Sequence, residues 1–171
     1  FASLAVADAL RERYGIDCQI KWPNDLLLRG KKIVGILCEG IPDQNAIVCG
    51  IGINLAQPQS YFDAMELPHA SSLALQGVAV NREEDPGRLA RTLTDFGFDR
   101  ALYGFEREGF AACRERYKAH CVNLGRRVRY DGGEGDAVDV DENGRLVVQD
   151  SAGQTRIFTG EVSVRGIYGA V

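Results

Sequence analysis

Hydrophobic and polar positions follow one period at the N terminus and another soon after it. Apolar or aromatic residues recur at helical spacing at Leu4, Ala5, Ala9, Leu10 and Tyr14. This spacing predicts a helix over residues 1–14, which Gly15 ends. The period then shortens, and strands are predicted over residues 18–22, 26–28, 32–40 and 46–55. Turn residues between these strands predict an antiparallel meander. The high apolar content of residues 46–55 predicts that this segment is a central strand of the sheet, covered on both faces.

The second half of the chain contains helices and then short strands. Apolar spacing predicts one helix across residues 86–107, despite Gly97, and another over residues 109–119. Residues 56–80 are irregular, although Ser71-Ser72-Leu73 is compatible with the start of a short helix. Short strands are predicted over residues 126–130, 136–140, 145–149, 155–159 and 161–165, with Asn143-Gly144 as a hairpin turn.

These patterns predict an α+β protein with two domains. Residues 1–122 would form a mixed or antiparallel sheet packed with helices, and residues 123–171 a small SH3-like β-barrel. The boundary is placed near residue 123, where the strands become short and regularly spaced.

Composition excludes several classes of function. The 171 residues carry a formal net charge of −4, which does not suit a nucleic-acid partner. No apolar run reaches the ~20 residues that a membrane span needs. The five cysteines form no short Cys-x-x-Cys pair, which favours reduced, buried thiols in a cytoplasmic protein. With two histidines far apart, we expect no metal site made by protein ligands alone.

The densest chemistry lies in three neighbouring motifs. They are Lys21-Trp22-Pro23-Asn24-Asp25, then Lys32-Ile33-Val34-Gly35-Ile36-Leu37, then Gly50-Ile51-Gly52-Ile53-Asn54. A lysine in an apolar strand has two interpretations. Its aliphatic stem can pack in the core while its ammonium reaches water or pairs with a carboxylate, or its ammonium can bind an anionic ligand. Asn24 and Asp25 either close the turn after Pro23 or shape a pocket.

The strand glycines and Asn54 leave similar alternatives. Gly35, Gly50 and Gly52 indicate either a bulge or a ligand that lies against the backbone. Gly50-Ile51-Gly52 is not a dinucleotide fingerprint, because no helix follows at the right place. Asn54 either caps the end of its strand or contacts a ligand.

Together these motifs closely resemble the central motifs of the biotin protein ligases. The C-terminal Gly160-Glu161-Val162-Ser163-Val164-Arg165 is similar to the Gly-Glu-apolar-Ser-apolar-Arg ending of the bacterial members. The resemblance implies a fold like that of the class II synthetases and the biotin/lipoate ligases. It also implies ATP-dependent activation of biotin to biotinyl-5′-AMP, with Mg²⁺, and transfer to a lysine of a biotin carboxyl carrier protein.

The resemblance also assigns site residues. It implies that Lys21 is catalytic, because an ammonium stabilises the negative charge that biotin carboxylate and phosphate bring together. It implies that the biotin and adenylate pocket is built from Lys21, Trp22, Asn24, Asp25, Gly35, Ile36, Leu37, Gly52 and Asn54. Arg165 would reach the nucleotide side, although a surface salt bridge is the alternative from sequence.

Two family elements are expected to be missing from this chain. They are an upstream Ser/Thr-Asn segment and the Gly-Arg-rich loop that covers the adenylate, so we expect weak binding by the chain alone. The resemblance further implies a homodimer through sheet edges, no DNA partner and a cytoplasmic protein. The alternatives are a non-catalytic or dimerisation module of the same fold, and a relative of the lipoate-protein ligases.

Overall fold

The structure is a computed structural model that describes residues 1–160 and 162–167, apart from the side chains of Arg100 and Ala101. The helices are Ala2–Tyr14 (α1), Gln59–Ala64 (α2), Asp85–Thr92 (α3), Asp99–Glu108 (α4) and Arg114–His120 (α5). A π-helical segment, Leu93–Phe98, joins α3 to α4, and 3-10 turns occupy Pro42–Gln44 and Gly109–Ala112. None of the helices in this part of the chain is both long enough and apolar enough to cross a bilayer.

The strands lie in two antiparallel sheets. The first contains Gln19–Lys21 (β1), Asp25–Leu28 (β2), Lys31–Ile41 (β3) and Ala46–Ile53 (β4), in the order β1-β2-β3-β4. The second contains Arg127–Tyr130 (β5), Gly133–Val140 (β6), Leu146–Asp150 (β7), Gly153–Ile157 (β8) and Ser163–Val164 (β9), in the order β8-β7-β6-β5-β9. The α+β class, with antiparallel sheets and helices, is therefore confirmed; the SH3-like form of the second sheet stays a prediction.

Local sequence explains where the first elements end. Gly15 takes the left-handed conformation at φ 67°, and its N–H donates to the carbonyl of Arg11, which ends α1 as predicted. Arg29 and Gly30 both have positive φ, at 51° and 76°, and so form the tight turn between β2 and β3. Asn45, at φ 46°, likewise has the positive φ that the turn between β3 and β4 needs.

The prediction that residues 46–55 form a covered central strand is wrong. The strand β4 ends at Ile53 and pairs only with β3, so it is an edge of the sheet as described. Ile47 is 71% exposed and Val48 is 53% exposed. The reason is that the helices pack near β1 and β2 instead, where α1 contacts the sheet. High apolar content alone did not determine which strand lies at the centre.

The prediction that the cysteines are buried is wrong for three of the five. Cys18 and Cys121 are buried, but Cys38 is exposed, and Cys49 and Cys113 are partly exposed. Cys38 and Cys49 lie opposite each other on β3 and β4, and β4 is the edge strand of the described sheet, so the core covers this pair incompletely.

The long predicted helix across Gly97 is present as α3, the π-helical segment and α4 in succession. Gly97 lies where this segment crosses α1, and a Cβ there would be 2.6 Å from the carbonyl oxygen of Ala5. The short helix suggested at Ser71-Ser72-Leu73 is a turn instead, while α2 formed in a region predicted to be irregular.

The two sheets share packing and hydrogen bonds around residue 123. The backbone N–H of Trp22 donates to Oδ1 of Asn123 over 2.7 Å, and its indole Nε1 donates to the carbonyl of Gly144 over 2.9 Å. Val122 N–H donates to the carbonyl of Ile20. One cluster of buried apolar side chains runs through both sheets, from Leu10 and Trp22 to Val148. This joint holds the second sheet next to the turn that follows β1.

Candidate functional site

The register of the first sheet places four of the motif residues in one row. Lys21 lies opposite Asp25, Asp25 opposite Gly35, and Gly35 opposite Gly52. Because directly opposed residues of antiparallel strands point to the same face, this row crosses one face of the sheet from β1 to β4. Three motifs that are separate in sequence are thereby joined into one surface.

An open cavity of about 690 Å³, here called the central cavity, lies over this row. It is lined by Lys21, Pro23, Asn24, Asp25, Lys32, Gly35, Ile36, Leu37, Gly50, Gly52, Thr159, Gly160 and Val162. Its volume falls within the ~300–1,000 Å³ of typical small-molecule sites. The cavity is therefore large enough for a ligand of cofactor size.

The strand glycines form the floor of the central cavity. A Cβ on Gly50 or Gly52 would meet only a backbone carbonyl oxygen, at 3.7 and 3.8 Å respectively, so the space above them is open. The irregularity in the pairing of β2 with β3 falls at Ile33, since Val34 faces Leu26 and Lys32 faces Leu27. Gly35 itself is in regular register, so the geometry favours the ligand alternative over a bulge at this glycine.

The same irregularity brings a second cation into the cavity. The extra residue at Ile33 lets Lys32 and Gly35, three positions apart, line the same space. Lys32 Nζ lies 2.6 Å from Oδ1 of Asp25, and the two side chains are 38% and 14% exposed. Lys32 was missed as a site residue, because the alternation of a regular strand would put it on the other face from Gly35.

Lys21 is the most buried charged residue of the cavity, with only 7% of its surface exposed. It lies at the end of β1, and its position in the row is set by pairing with Asp25. Lys21, Asp25 and Lys32, here called the charged trio, have a combined formal charge of +1. They also line an adjoining space of about 390 Å³, here called the side cavity, together with His69 and Ser163. Both lysines therefore border both cavities.

The turn after β1 is held from two sides. The side-chain amide of Asn24 donates to the carbonyl of Ile36, which ties the turn to β3. The hydroxyl of Tyr117 donates to the carbonyl of Pro23 over 2.9 Å. Burial raises the pKa of Tyr117 well above its usual value, so this hydroxyl stays protonated and continues to donate. Asn24 thus closes the turn and also borders the cavity.

Trp22, Asn54 and Arg165 lie elsewhere. Trp22 is buried at the joint between the sheets, and Asn54 follows β4, where its backbone bonds to Ile33 and Leu73. Arg165 is exposed, and its N–H donates to the carbonyl of Arg127. None of the three lines either cavity. Glu161, quoted in the C-terminal motif, lies outside the described residues.

The segment between β8 and β9 contributes residues that were not assigned to the site from the sequence, although Gly160 and Val162 belong to the C-terminal motif. Thr159, Gly160 and Val162 line the central cavity, although they are more than a hundred positions from Lys21. Only the docking of the second sheet brings them there. Metal ligands are not gathered at the site: within residues 1–160 and 162–167, no group of three or more His, Cys, Asp or Glu side chains could hold an ion.

Comparison with known proteins agrees with the motifs. The model of the biotin/lipoate A/B protein ligase family matches residues 1–54, and that of the biotin protein ligase C-terminal domain matches residues 124–165. The biotin–[acetyl-CoA-carboxylase] ligase of Paracoccus denitrificans is 32% identical over 180 residues, which cover 96% of this chain and 71% of that protein.

A second relative and a solved structure extend the match. The bifunctional ligase/repressor BirA of Bacillus subtilis is 28% identical over 95% of this chain, and the chain spans about half (51%) of its length. The biotin protein ligase from Aquifex aeolicus, solved in complex with biotin and ATP, superimposes with a TM-score of 0.73 at 26% identity, over 96% of this chain and 68% of that one. On these matches and on the motifs around its cavity, the chain belongs to the biotin protein ligase family.

Proposed function

We propose that this chain carries the adenylating and transferring site of a biotin protein ligase. In this reaction ATP activates biotin to biotinyl-5′-AMP, and the biotinyl group then passes to a lysine of a biotin carboxyl carrier protein. The observation that carries the proposal is the row from Lys21 to Gly52, which places a buried ammonium beside a glycine-floored cavity of about 690 Å³.

The charged trio supports a particular arrangement of the two substrates. Biotin is an apolar ring system with a carboxylate, which suits the central cavity with its glycine floor, the backbone of Ile36 and the side chain of Leu37. The triphosphate would enter by the side cavity, and the two anions would meet at the trio, which lines both spaces. Two ammonium groups there reduce the repulsion between carboxylate and α-phosphate and hold them in reach of each other.

Lys21 is proposed as the catalytic residue of this arrangement. Attack by the carboxylate collects negative charge on the α-phosphate oxygens, and a buried ammonium stabilises that charge more strongly than one in water would. In the transfer step the same ammonium would stabilise the oxyanion that forms when the acceptor amine attacks the acyl carbon. Asp25, paired with Lys32, keeps the second ammonium directed over Gly35.

Mg²⁺ belongs to the proposal as a companion of the triphosphate. Among the described residues that line the central cavity, Asp25 is the one carboxylate, and it is already paired with Lys32. This set suits an ion that is held mainly by phosphate oxygens and water, as Mg²⁺ commonly is. The ion would neutralise phosphate charge when bound.

The remaining assignments are proposed on the same basis. Trp22, Asn54 and Arg165 would support the site from outside the two cavities. Trp22 would do so from the joint between the sheets, Asn54 from the end of β4, and Arg165 from the second sheet. We also propose that the chain divides into two domains near residue 123. The exposed edge of β4, with Ile47 and Val48, supports a homodimer through sheet edges. The acidic net charge of −4 supports a protein without a DNA partner. The five free cysteines support a location in the reducing cytoplasm.

The experiment that tests the proposal is transfer of labelled biotin to a biotin-carrier domain with ATP and Mg²⁺. Because the chain covers 71% of the Paracoccus denitrificans relative, it is assayed both alone and joined to the residues of that relative outside the match. We expect Lys21→Ala to lower the rate by about 10²-fold or more, since a charge-stabilising group is removed. Lys31→Ala is the matched control, because this exposed lysine donates to the carbonyl of Pro68 and lines neither cavity.

The outcomes separate the proposal from its alternatives. Equal rates for the unaltered protein and Lys21→Ala, or no transfer in either format, would overturn it and favour a non-catalytic module. Preferential transfer of lipoate in a competition with biotin would assign the site to the lipoate ligases instead.

A further inference from the structure

Two thiols meet on the face of the first sheet opposite the central cavity. Gly50 and Gly52 line the cavity, so the alternation of β4 turns Cys49 and Ile51 to the other face. Cys49 lies opposite Cys38 of β3, and their Sγ atoms are 3.4 Å apart. We propose that Cys38 and Cys49 form a reversible dithiol–disulfide site, which a low-molecular-weight disulfide oxidises.

The backbone already has the geometry that a disulfide needs. Opposed residues of antiparallel strands have Cα atoms about 4.5–5.5 Å apart, which lies inside the ~4.4–6.8 Å range of disulfides. The thiols are free and in contact, and the pair is accessible, because Cys38 is exposed and Cys49 is partly exposed. Oxidation therefore requires side-chain rotation rather than movement of the strands.

The other cysteines lack this combination of proximity and access. Cys18 and Cys121 are buried, so an external disulfide does not reach them. Cys113 donates its S–H to the carbonyl of Phe110, 3.4 Å away. Within the described residues, Cys38 and Cys49 are the two cysteines whose sulfur atoms lie in contact with each other.

The reaction proceeds in two exchanges. The exposed Cys38 thiolate attacks one sulfur of the external disulfide, forms a mixed disulfide and releases one thiol. The thiolate of Cys49 then attacks Sγ of Cys38, which forms the Cys38–Cys49 bond and releases the second thiol. The two cysteines lose two protons and two electrons, and the external disulfide becomes two thiols, so the exchange is balanced.

The bond would join the strands next to the cavity. Leu37 and Gly50, which border the central cavity, are the register partners adjacent to the pair. The closed loop contains the Pro42–Gln44 turn and the exposed Ile47 and Val48. Oxidation would hold this loop to β3 and restrict its local opening. The inference goes beyond the proposed ligase function, because it needs neither biotin nor ATP.

The test is oxidation of the full chain with oxidised glutathione, followed by alkylation of the remaining thiols and mass spectrometry. Before alkylation we expect a mass lower by two hydrogen atoms. After it we expect two fewer alkylated thiols, a linked pair of peptides that contain Cys38 and Cys49, and full reversal by dithiothreitol. The oxidised chain should also be cleaved more slowly by protease between residues 38 and 49.

Single substitutions give the mechanism a second readout. Cys49→Ser should stop at a glutathione adduct on Cys38, while Cys38→Ser should lose intramolecular oxidation. Cys113→Ser, as the matched control, should oxidise like the unaltered chain. A lasting glutathione adduct on the unaltered chain, a link between two chains, or unchanged thiols would each overturn the proposal, and none of these outcomes depends on ligase activity.

Discussion

At the scale of single residues, the charged trio matters more for where its ammonium groups lie in the cavity than for the stability of the fold. The Asp25–Lys32 pair is close, at 2.6 Å, but Lys32 is 38% exposed. Partly exposed ion pairs contribute up to about 1 kcal/mol to stability. The value of this pair for function is that it directs an ammonium over the glycine floor, where Lys32 Cε lies 3.2 Å from the place a Cβ on Gly35 would take.

Gly35→Ala therefore tests the floor of the cavity. The new methyl group would displace the flexible end of Lys32 and project into the space proposed for biotin. We expect biotin affinity to fall by about tenfold, equal to 1.4 kcal/mol, while unfolding free energy changes by less than about 1 kcal/mol. Titration calorimetry and urea unfolding measure the two effects.

Gly40→Ala is the matched control, because Gly40 also lies in β3 and a Cβ there would meet nothing within 4 Å. It should leave biotin affinity unchanged. Equal affinity for both variants would show that biotin does not lie against Gly35.

At the scale of elements, Gly97 shows why a helix continues through a residue that disfavours it. Glycine in a helix costs about 0.5–1 kcal/mol relative to alanine. Here the π-helical segment approaches α1 so closely that a Cβ would lie 2.6 Å from the carbonyl oxygen of Ala5. The close approach also lets Phe1 stack with Phe105 at a ring distance of 4.7 Å.

We expect Gly97→Ala to lower the free energy of unfolding by about 1–3 kcal/mol, because two backbones would have to separate. Gly87→Ala is the control within the same succession of helices, since a Cβ on this exposed glycine would meet nothing within 4 Å. It should raise stability by about 0.5 kcal/mol. Urea unfolding compares the two, and equal effects would contradict the packing argument.

At the scale of the whole molecule, stability depends on contacts between the two sheets. Besides the hydrogen bonds of Trp22, α5 meets β6 through Asp139, which is 2.7 Å from Arg114 and 2.8 Å from Lys118. Desolvation acts to raise the pKa of Asp139. Hydrogen bonds from Lys118 and from the N–H of Val140, together with the charge of Arg114, outweigh it and hold this pKa below its usual value.

This shift predicts loss of stability in acid. A carboxylate whose pKa is lowered by folding stabilises the protein fully above its unfolded value of about 4, and the contribution is lost as pH falls through the folded value. Asp85 and Asp141, whose pKa values are also lowered, act in the same direction. Urea unfolding between neutral pH and about pH 2 should show this decline.

Asp139→Asn should flatten that acid dependence and lower stability at neutral pH. Glu106→Gln, at an exposed position of α4, should leave the pH profile as it is. A profile that is identical for the unaltered chain and Asp139→Asn would mean that this contact between α5 and β6 does not contribute to the acid transition.

The sequence by itself determined the features that depend on near neighbours. Helical and alternating periods located α1 and the strands, Gly15 and Asn143-Gly144 marked their ends, and the motifs from Lys21 to Asn54 indicated the family. These features are readable because backbone conformation and side-chain direction follow from residues only a few positions apart.

Only the tertiary structure decided which distant groups meet. It placed β4 at an edge, brought Lys32 into the cavity through an irregular pairing, added Thr159 from the segment between β8 and β9, and put Cys38 against Cys49. Register, strand order and docking arise from packing between segments that are far apart in the chain, and hydrophobic periodicity contains no direct record of those partners.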